Sequence, residues 1–281
     1  MSVVRLGLIG GNIAASKSPM LHRTAGSMCG LTITYELLIP AERGQSFDQV
    51  FDSCRDEGFR GVNVTYPFKE QAVGRVTLDN PDVEAVGACN TVIFEAPTPR
   101  GFNTDNSGFV AAFRENFGIA KPGHVAMAGA GGVGKATASA LGRLGARSLA
   151  IYDSDAARAQ ALADRVRSHF PSMMLILAGS VEEAMDGADG LVNCTPLGME
   201  GVPGSAFPDG KLRQGVWAFD AVYTPVETLF VQAARRAGLH VMTGYELFLH
   251  QGIDAFRIFT GQDIDSGALR RALKTQQEAA L

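Results

Sequence analysis

The sequence predicts an α/β protein of two domains. Three observations carry that reading. At 281 residues the chain is longer than one hydrophobic core usually serves. Short apolar strand-like runs alternate with amphipathic helix-like segments, a pattern that favours mainly parallel sheets. A glycine-rich run, Gly129-Ala130-Gly131-Gly132-Val133-Gly134, falls directly between one such strand and one such helix.

The elements follow in chain order. Residues 3–9 form an apolar strand run ending in Gly10-Gly11. Ser18-Pro19 reads as a helix start, with serine as N-cap and proline at the first helical position. Residues 33–39 are a second strand. Phe47, Val50, Phe51 and Cys54 repeat at i, i+3, i+4 and i+7, the mark of a helix with one buried face. Val62 and Val64 alternate with Asn63 in a third strand, residues 61–65, which Pro67 ends. A strand is expected at 90–94, a turn at 97–101 and a helix carrying Phe109, Ala112 and Phe113. Lys121-Pro122-Gly123 is a strong turn signal and marks a change of domain. Beyond it, strands are expected at 125–128, 148–152, 174–177, 190–194 and 217–221. Helices are expected after the glycine run to about Leu144, at 156–169, around Val226, Leu229, Phe230 and Ala233, and at 245–260 and from Leu269 onward.

Composition excludes several classes. The chain is 46% hydrophobic and 19% charged, with a formal net charge of −4. That balance argues against a nucleic-acid surface, which carries a basic excess. The four cysteines are widely separated and form no CxxC pair, so neither a disulfide framework nor a zinc site is expected. The N-terminus has no signal-peptide pattern and no apolar run approaches a bilayer span. A cytoplasmic protein with no membrane partner is expected.

The glycine run has the chemistry of a phosphate cradle. Gly129-x-Gly131-x-x-Gly134 after a strand and before a helix is the dinucleotide fingerprint of a Rossmann domain. It combines a tight turn, close backbone approach to a pyrophosphate, and a helix N-terminus facing the anion. Asp153 follows about 20 residues later, at the end of the next strand, where a carboxylate accepts hydrogen bonds from an adenosine ribose. A carboxylate there opposes a 2′-phosphate, so NAD is preferred, while Arg158 one turn on keeps NADP admissible. The same stretch, Gly129 to Lys135, also fits the nucleotide-hydrolase loop GxxxxGK. Ala136 replaces the hydroxyl that would hold magnesium in that loop, although Thr137 follows.

Polar residues outside the glycine run have two readings each. Lys69 and Asp105 suit a proton-transfer pair, the lysine exchanging a proton with an alcohol and the carboxylate orienting both. Alone, such residues are more often a surface lysine and a helix-capping aspartate. Ser16 and Ser18 suit a carboxylate ligand or simple capping. Asn90 and Thr91 suit a polyol or the backbone of a strand start. His22, His124, His169, His240 and His250 show no metal-binding spacing, and no metal is assigned. No GxSxG elbow supports a serine hydrolase.

Taken together, the motifs resemble the shikimate dehydrogenase family, including its quinate/shikimate dehydrogenase branch. The matching segments are Ser16-Lys17-Ser18-Pro19 with His22, residues 61–69 (GVNVTYPFK), residues 87–91 (GACNT) and residues 101–105 (GFNTD). Gly129 to Gly134, residues 193–199 (NCTPLGM) and residues 220–225 (DAVYTP) complete the set. The resemblance implies a split chain: residues 1–105 plus 244–281 form a substrate domain completed by the C-terminal helices, and 106–243 form a Rossmann NAD-binding domain. It implies that Ser16 and Ser18 hold a substrate carboxylate, and that Lys69 transfers a proton with Asp105 as partner. Thr65, Asn90 and Gln251 would bind ring hydroxyls, with Tyr223 near the substrate or nicotinamide. Gly129, Ala130, Gly131, Gly132, Val133, Gly134, Asp153, Arg158, Thr195 and Gly244 would line the cofactor.

The implied reaction is reversible oxidation of the shikimate 3-hydroxyl to the ketone of 3-dehydroshikimate, with hydride transfer between its ring carbon and NAD(P). The implied partner is a small molecule, in a monomer or homodimer. Quinate or an amino-substituted analogue is the near alternative as substrate, and a non-catalytic nucleotide- or shikimate-binding sensor is the alternative of another class. Two departures stand out. Asp153-Ser154-Asp155 replaces the Asn-Arg-Thr/Ser common in NADP users, favouring NAD. Tyr245-Glu246-Leu247-Phe248 replaces a more common x-x-Met-Leu pattern. Ser18, where a threonine would add a methyl group, favours shikimate.

Overall fold

A computed structural model of the chain describes residues 3–78, 81–95, 97–213 and 215–279. The chain forms two compact units, Met1–Thr104 with Leu249–Leu281, and Asp105–Phe248.

The first unit opens with β1 (Val3–Ile9), α1 (Ser18–Met28), β2 (Thr32–Leu38), α2 (Phe47–Asp56) and β3 (Gly61–Val64). Short elements follow: β4 (Thr77–Leu78), α3 (Pro81–Val86), β5 (Thr91–Ile93) and β6 (Arg100–Phe102). Its sheet runs β2-β1-β3-β5-β6-β4. The β2-β1-β3 half is parallel, as β-α-β alternation requires, whereas β5 runs antiparallel to both β3 and β6. Ser46 caps α2 in a reciprocal box with Gln49. The face so fixed packs Phe47, Val50, Phe51 and Cys54 onto Ile9, Val62, Val64 and Val92 of the sheet.

The second unit begins with α4 (Thr104–Phe117), continues through β7 (His124–Ala128), α5 (Gly132–Arg143), β8 (Ser148–Tyr152), α6 (Ala156–His169) and β9 (Met174–Leu177), and then α7 (Val181–Ala184), β10 (Gly190–Asn193), β11 (Trp217–Asp220), α8 (Leu229–Arg236) and β12 (His240–Thr243). All six strands are parallel, in the order β12-β11-β10-β7-β8-β9. That is the Rossmann order, with the reversal between β7 and β10. One apolar layer, carrying Phe109, Leu141, Leu162 and Val166, covers one side. A second, carrying Leu191, Phe207, Phe230 and Ala234, forms a separate cluster.

The chain closes with α9 (Gly244–Thr260) and α10 (Ser266–Ala279). From Leu249 onward these helices return to the first unit. A Cβ on Gly252 would meet Leu21 Cδ1 at 2.5 Å, so α9 lies hard against α1. Leu269 and Leu273 of α10 are buried, and the Thr24 hydroxyl of α1 donates to Gln276 Oε1 at 2.8 Å.

Several local expectations need correction. Lys17, not Ser18, is the N-cap of α1, and Ser18 and Pro19 lie in its first turn. The Ser16 hydroxyl takes the Ser18 amide instead, at 3.3 Å. Arg100 and Gly101 belong to β6 rather than a turn, because Val92 and Ile93 supply a paired strand. α8 starts at Leu229, where Thr228 caps it through the Val231 amide, so Val226 lies outside. The domain change comes at Thr104–Asp105 rather than at the Lys121-Pro122-Gly123 turn. The reason is packing: Phe109 and Phe113 of α4 sit edge-on to Phe219 and Trp217 of the second sheet. The strands β4 and β12 and the helices α3 and α7 had no counterpart in the sequence reading.

Candidate functional site

In the first unit, polar side chains gather where the parallel strands end. Tyr35 of β2 is buried, and a buried phenol needs a partner. Its hydroxyl donates to Asn63 Oδ1 at 2.8 Å. The Asn63 amide then donates to Thr91 Oγ1 at 3.0 Å and to the Asn90 carbonyl at 3.3 Å. Thr91 donates to Asn90 Oδ1 at 3.1 Å. Asn90 Oδ1 also takes the Thr104 amide at 2.7 Å. Thr104 Oγ1 in turn approaches Gln251 Oε1 at 3.4 Å.

This chain has a direction. The backbone amide of Thr104 forces Asn90 to present its oxygen inward, so its two N–H donors face out of the network. Ser16 and Ser18 lie beside it, with the Ser16 hydroxyl on Ser18 Oγ at 3.2 Å. Ser18 also reaches the Tyr35 hydroxyl, which joins the serine pair to Asn63. His22 stacks on Tyr35 with ring centres 4.9 Å apart. Burial pushes its pKa down to about 3, so the ring is a neutral wall.

Lys69 lies in the turn after β3, half-buried, and its carbonyl accepts the Cys89 amide at 2.8 Å. The turn is pinned on both sides to α2. Phe68 stacks on Phe47 at 5.2 Å. Gln71 donates to Asp48 at 3.0 Å, and Arg75 bridges Asp48 and Asp52 at 2.8 and 2.5 Å. Thr65 caps the end of β3, its amide on the Ile9 carbonyl at 2.9 Å.

In the second unit, Asp105 is buried in the first turn of α4 rather than capping it. The glycine loop turns at Gly129, whose φ of +99° suits glycine. A Cβ on Gly134 would come within 2.2 Å of the Gly129 carbonyl, so α5 begins against the strand end. Gly131 caps α5, and a Cβ there would meet nothing within 4 Å. The helix N-terminus, with Gly132 and Val133 as its first residues, therefore faces open space, as an anion requires. Starting α5 at Gly132 also buries Gly134-Lys135 inside the helix. That leaves too short a loop for the wrap of a GxxxxGK cradle.

Asp153 carries the second half of the fit. Its Oδ2 accepts the Ala130 amide at 2.7 Å and its Oδ1 the Asp155 amide at 2.9 Å. Each oxygen keeps a lone pair for a ribose hydroxyl. Arg158 pairs with Asp155 at 3.3 Å on an exposed surface. The turn thus shows two carboxylates and one committed guanidinium, a poor seat for a 2′-phosphate. Thr195 follows β10, with its amide and hydroxyl both on Asn193 Oδ1 at 2.9 and 2.7 Å. Gly244 starts α9, and a Cβ there would lie 2.5 Å from the Ala221 carbonyl. Tyr223 stacks on Phe248 at 5.2 Å, and Tyr245 packs on the same ring at 6.2 Å.

Within the first unit, Ser16, Ser18, Asn90 and Gln251 thus share one connected cluster, which Tyr35, Asn63, Thr91 and Thr104 hold together. Tyr35 was not singled out from sequence, and Thr104 only as part of the segment 101–105, with no role given to it. The alternation of buried Ile33 and Tyr35 along β2 was the available signal, since it places a phenol inside.

The chain is similar to known proteins along most of its length. Residues 8–92 match the model described as shikimate dehydrogenase substrate binding domain, and residues 244–274 match the shikimate 5'-dehydrogenase C-terminal domain. The chain is 38% identical over 273 residues to a quinate/shikimate dehydrogenase (NAD(+)) of Corynebacterium efficiens, covering 95% of this chain and 96% of that one. It is 40% identical over 272 residues to a shikimate dehydrogenase (NADP(+)) of Rubrobacter xylanophilus, covering 95% and 94%. Among solved structures, quinate dehydrogenase from Corynebacterium glutamicum in complex with NAD superposes with a TM-score of 0.91 at 35% identity, covering 98% and 100%. Shikimate 5-dehydrogenase from Thermus thermophilus, in complex with NADP(H) and shikimate, gives 0.85 at 33%, covering 97% and 99%.

Proposed function

The chain belongs to the shikimate dehydrogenase family, and on that premise we propose that it interconverts shikimate and 3-dehydroshikimate with NAD as the preferred partner. The first unit, Met1–Thr104 with Leu249–Leu281, takes the role of substrate domain, and Asp105–Phe248 that of the dinucleotide domain. The observation that carries the cofactor choice is the Asp153 carboxylate. It is tied to the glycine loop through Ala130, with Asp155 beside it and Arg158 already paired.

NAD, when bound, supplies the hydride acceptor for the alcohol carbon. The chain does the rest. Ser16 and Ser18 hold the ring carboxylate through their hydroxyls. Asn90 turns its two N–H donors to a ring hydroxyl, while Thr65 and Gln251 take its neighbours. Lys69 Nζ receives the proton from the reacting hydroxyl and returns it in the reverse direction, with Asp105 as its expected partner. Thr195, Gly244 and Tyr223 serve the nicotinamide side.

Quinate is the second reading, favoured by relatives that join NAD to that name. Against it stands Ser18, where a threonine would add a methyl group that reshapes the carboxylate end of the pocket; serine there favours shikimate. Absorbance of reduced nicotinamide, followed with shikimate and quinate under NAD and then NADP, tests both. Turnover fastest with shikimate and NAD is the expected result. Equal rates with quinate would move the chain to the other branch. NADH binding without any turnover would make it a sensor. Sedimentation of the same preparation separates monomer from homodimer. Among the described residues no helix is long and apolar enough to cross a membrane.

A further inference from the structure

Asp220, the last residue of β11, has a wholly buried side chain. Three donors converge on it. Asn193 Nδ2 and the Val222 amide reach Oδ1 at 2.9 and 3.0 Å, and the Thr228 hydroxyl reaches Oδ2 at 2.6 Å. Thr228 uses its own oxygen to accept the Val231 amide at 3.1 Å, so its proton is free for Asp220. Every partner donates, which suits an acceptor-only carboxylate. Burial pushes the carboxyl pKa upward, and the same three hydrogen bonds pull it back.

Each partner sits at a different joint. Asn193 ends β10, and its carboxamide has two possible orientations. With Nδ2 facing Asp220, Oδ1 faces Thr195 and takes both its amide and its hydroxyl. Turned over, the amide would set its oxygen against the Asp220 carboxylate and its N–H donors against the Thr195 amide. Asp220 therefore decides which way Asn193 points. Through it, the carboxylate decides where the loop from Cys194 to Gly198 begins, since Asn193 also reaches the Leu197 carbonyl at 3.3 Å. On the other side the Val222 amide fixes the residue before Tyr223. Thr228 links the same carboxylate to the start of α8.

We propose that Asp220 is a positioning residue for the dinucleotide site: one buried carboxylate that orients Asn193 and anchors Val222, so that Thr195 and Tyr223 are presented together. It acts only through those neighbours. The inference rests on the dinucleotide-binding reading of this unit.

The test is NADH binding by fluorescence, with melting curves and far-UV dichroism on the same samples. Wild-type protein that fails to bind NADH overturns the dinucleotide reading itself, a separate failure. Asp220→Ala is expected to weaken NADH binding about tenfold or more, as loss of a buried charged hydrogen-bond partner does. Asp220→Asn can keep its oxygen toward Asn193 and Val222 and its amide toward Thr228, and is expected to stay within about threefold of wild type. Asn193→Ala is expected to match Asp220→Ala, and the double variant to be no worse than either single one. Thr228→Val removes the third bond and lowers the melting temperature, but is expected to leave NADH affinity unchanged. NADH affinity that follows melting temperature across the set, including Thr228→Val, would overturn the proposal. So would additive effects of Asp220→Ala and Asn193→Ala. Should Asp220→Ala not fold, Asn193→Ala with wild-type affinity decides against it.

Discussion

His22 is 1% exposed, stacked on Tyr35 and tilted against Phe256 and Phe259, and its Nδ1 has no hydrogen-bond partner among the described residues. A charged imidazole in that setting would be stranded, which is why its pKa falls to about 3 from an ordinary value of 6.5. The unfolded chain takes up that proton first, so stability is complete above the ordinary value and declines as pH falls toward the folded one. Between pH 7.5 and 5 this residue alone should remove about 2 kcal/mol of stability. Urea unfolding at the two pH values checks it: the drop should shrink by about that amount in His22→Phe, which keeps the ring packing. Asp153 gives a second expectation. Its two oxygens tie down the Ala130 and Asp155 amides, so Asp153→Ala loosens the glycine loop as well as the ribose seat. Affinity for NAD should fall by about tenfold or more, NADP should lose less, and the ratio of their Michaelis constants should narrow. An unchanged ratio would remove Asp153 from cofactor choice.

The turn that carries Lys69 is held by its own backbone hydrogen bonds and, through side chains, by α2. Phe68 on Phe47 secures one side, and Arg75 on Asp48 and Asp52, with its guanidinium 5.1 Å from the centre of the Phe51 ring, secures the other. Arg75 is 28% exposed, so its ion pairs should contribute only about 1 kcal/mol to stability. Its substitution should act mainly on kcat. Arg75→Ala is expected to lower kcat severalfold with NADH affinity intact, a milder version of Lys69→Ala, which should cost about 10²–10⁴. A kcat unchanged in Arg75→Ala would show that the turn holds its shape unaided. The ease with which elements were read from sequence follows the same physics. Strands such as β1 and β7 announce themselves as apolar runs closed by glycine, and α2 by a clean helical period. β4 has two residues, α7 four and α3 six, too few for any period to show. β12 begins at an exposed His240, which hides its buried Met242 and Thr243. The glycine loop between β7 and α5 was legible because its turn is local. The Asn193–Asp220 pair, 27 residues apart, depends on β10 lying beside β11, and no spacing rule gives strand order.

At the scale of the whole chain, the first unit is assembled from both ends of the sequence. Leu269 and Leu273 of α10 are buried, and Leu21 of α1 meets α9 where Gly252 leaves room. Leu273→Ala should therefore cost about 2–5 kcal/mol, as other buried leucines do, and lower the melting temperature. NADH affinity below the transition should not change, because that site lies on the contiguous second unit. Loss of NADH affinity alongside the lowered melting temperature would mean that the two units do not hold their folds separately. The same arrangement sets an order of events at the ribosome. The segment from Asp105 to Phe248 leaves the exit tunnel whole and can fold as it emerges. The strands made before it wait, with the apolar face of α1 uncovered, until α9 and α10 have been made. A nascent chain would thus bind its dinucleotide before it owned a finished pocket for anything else.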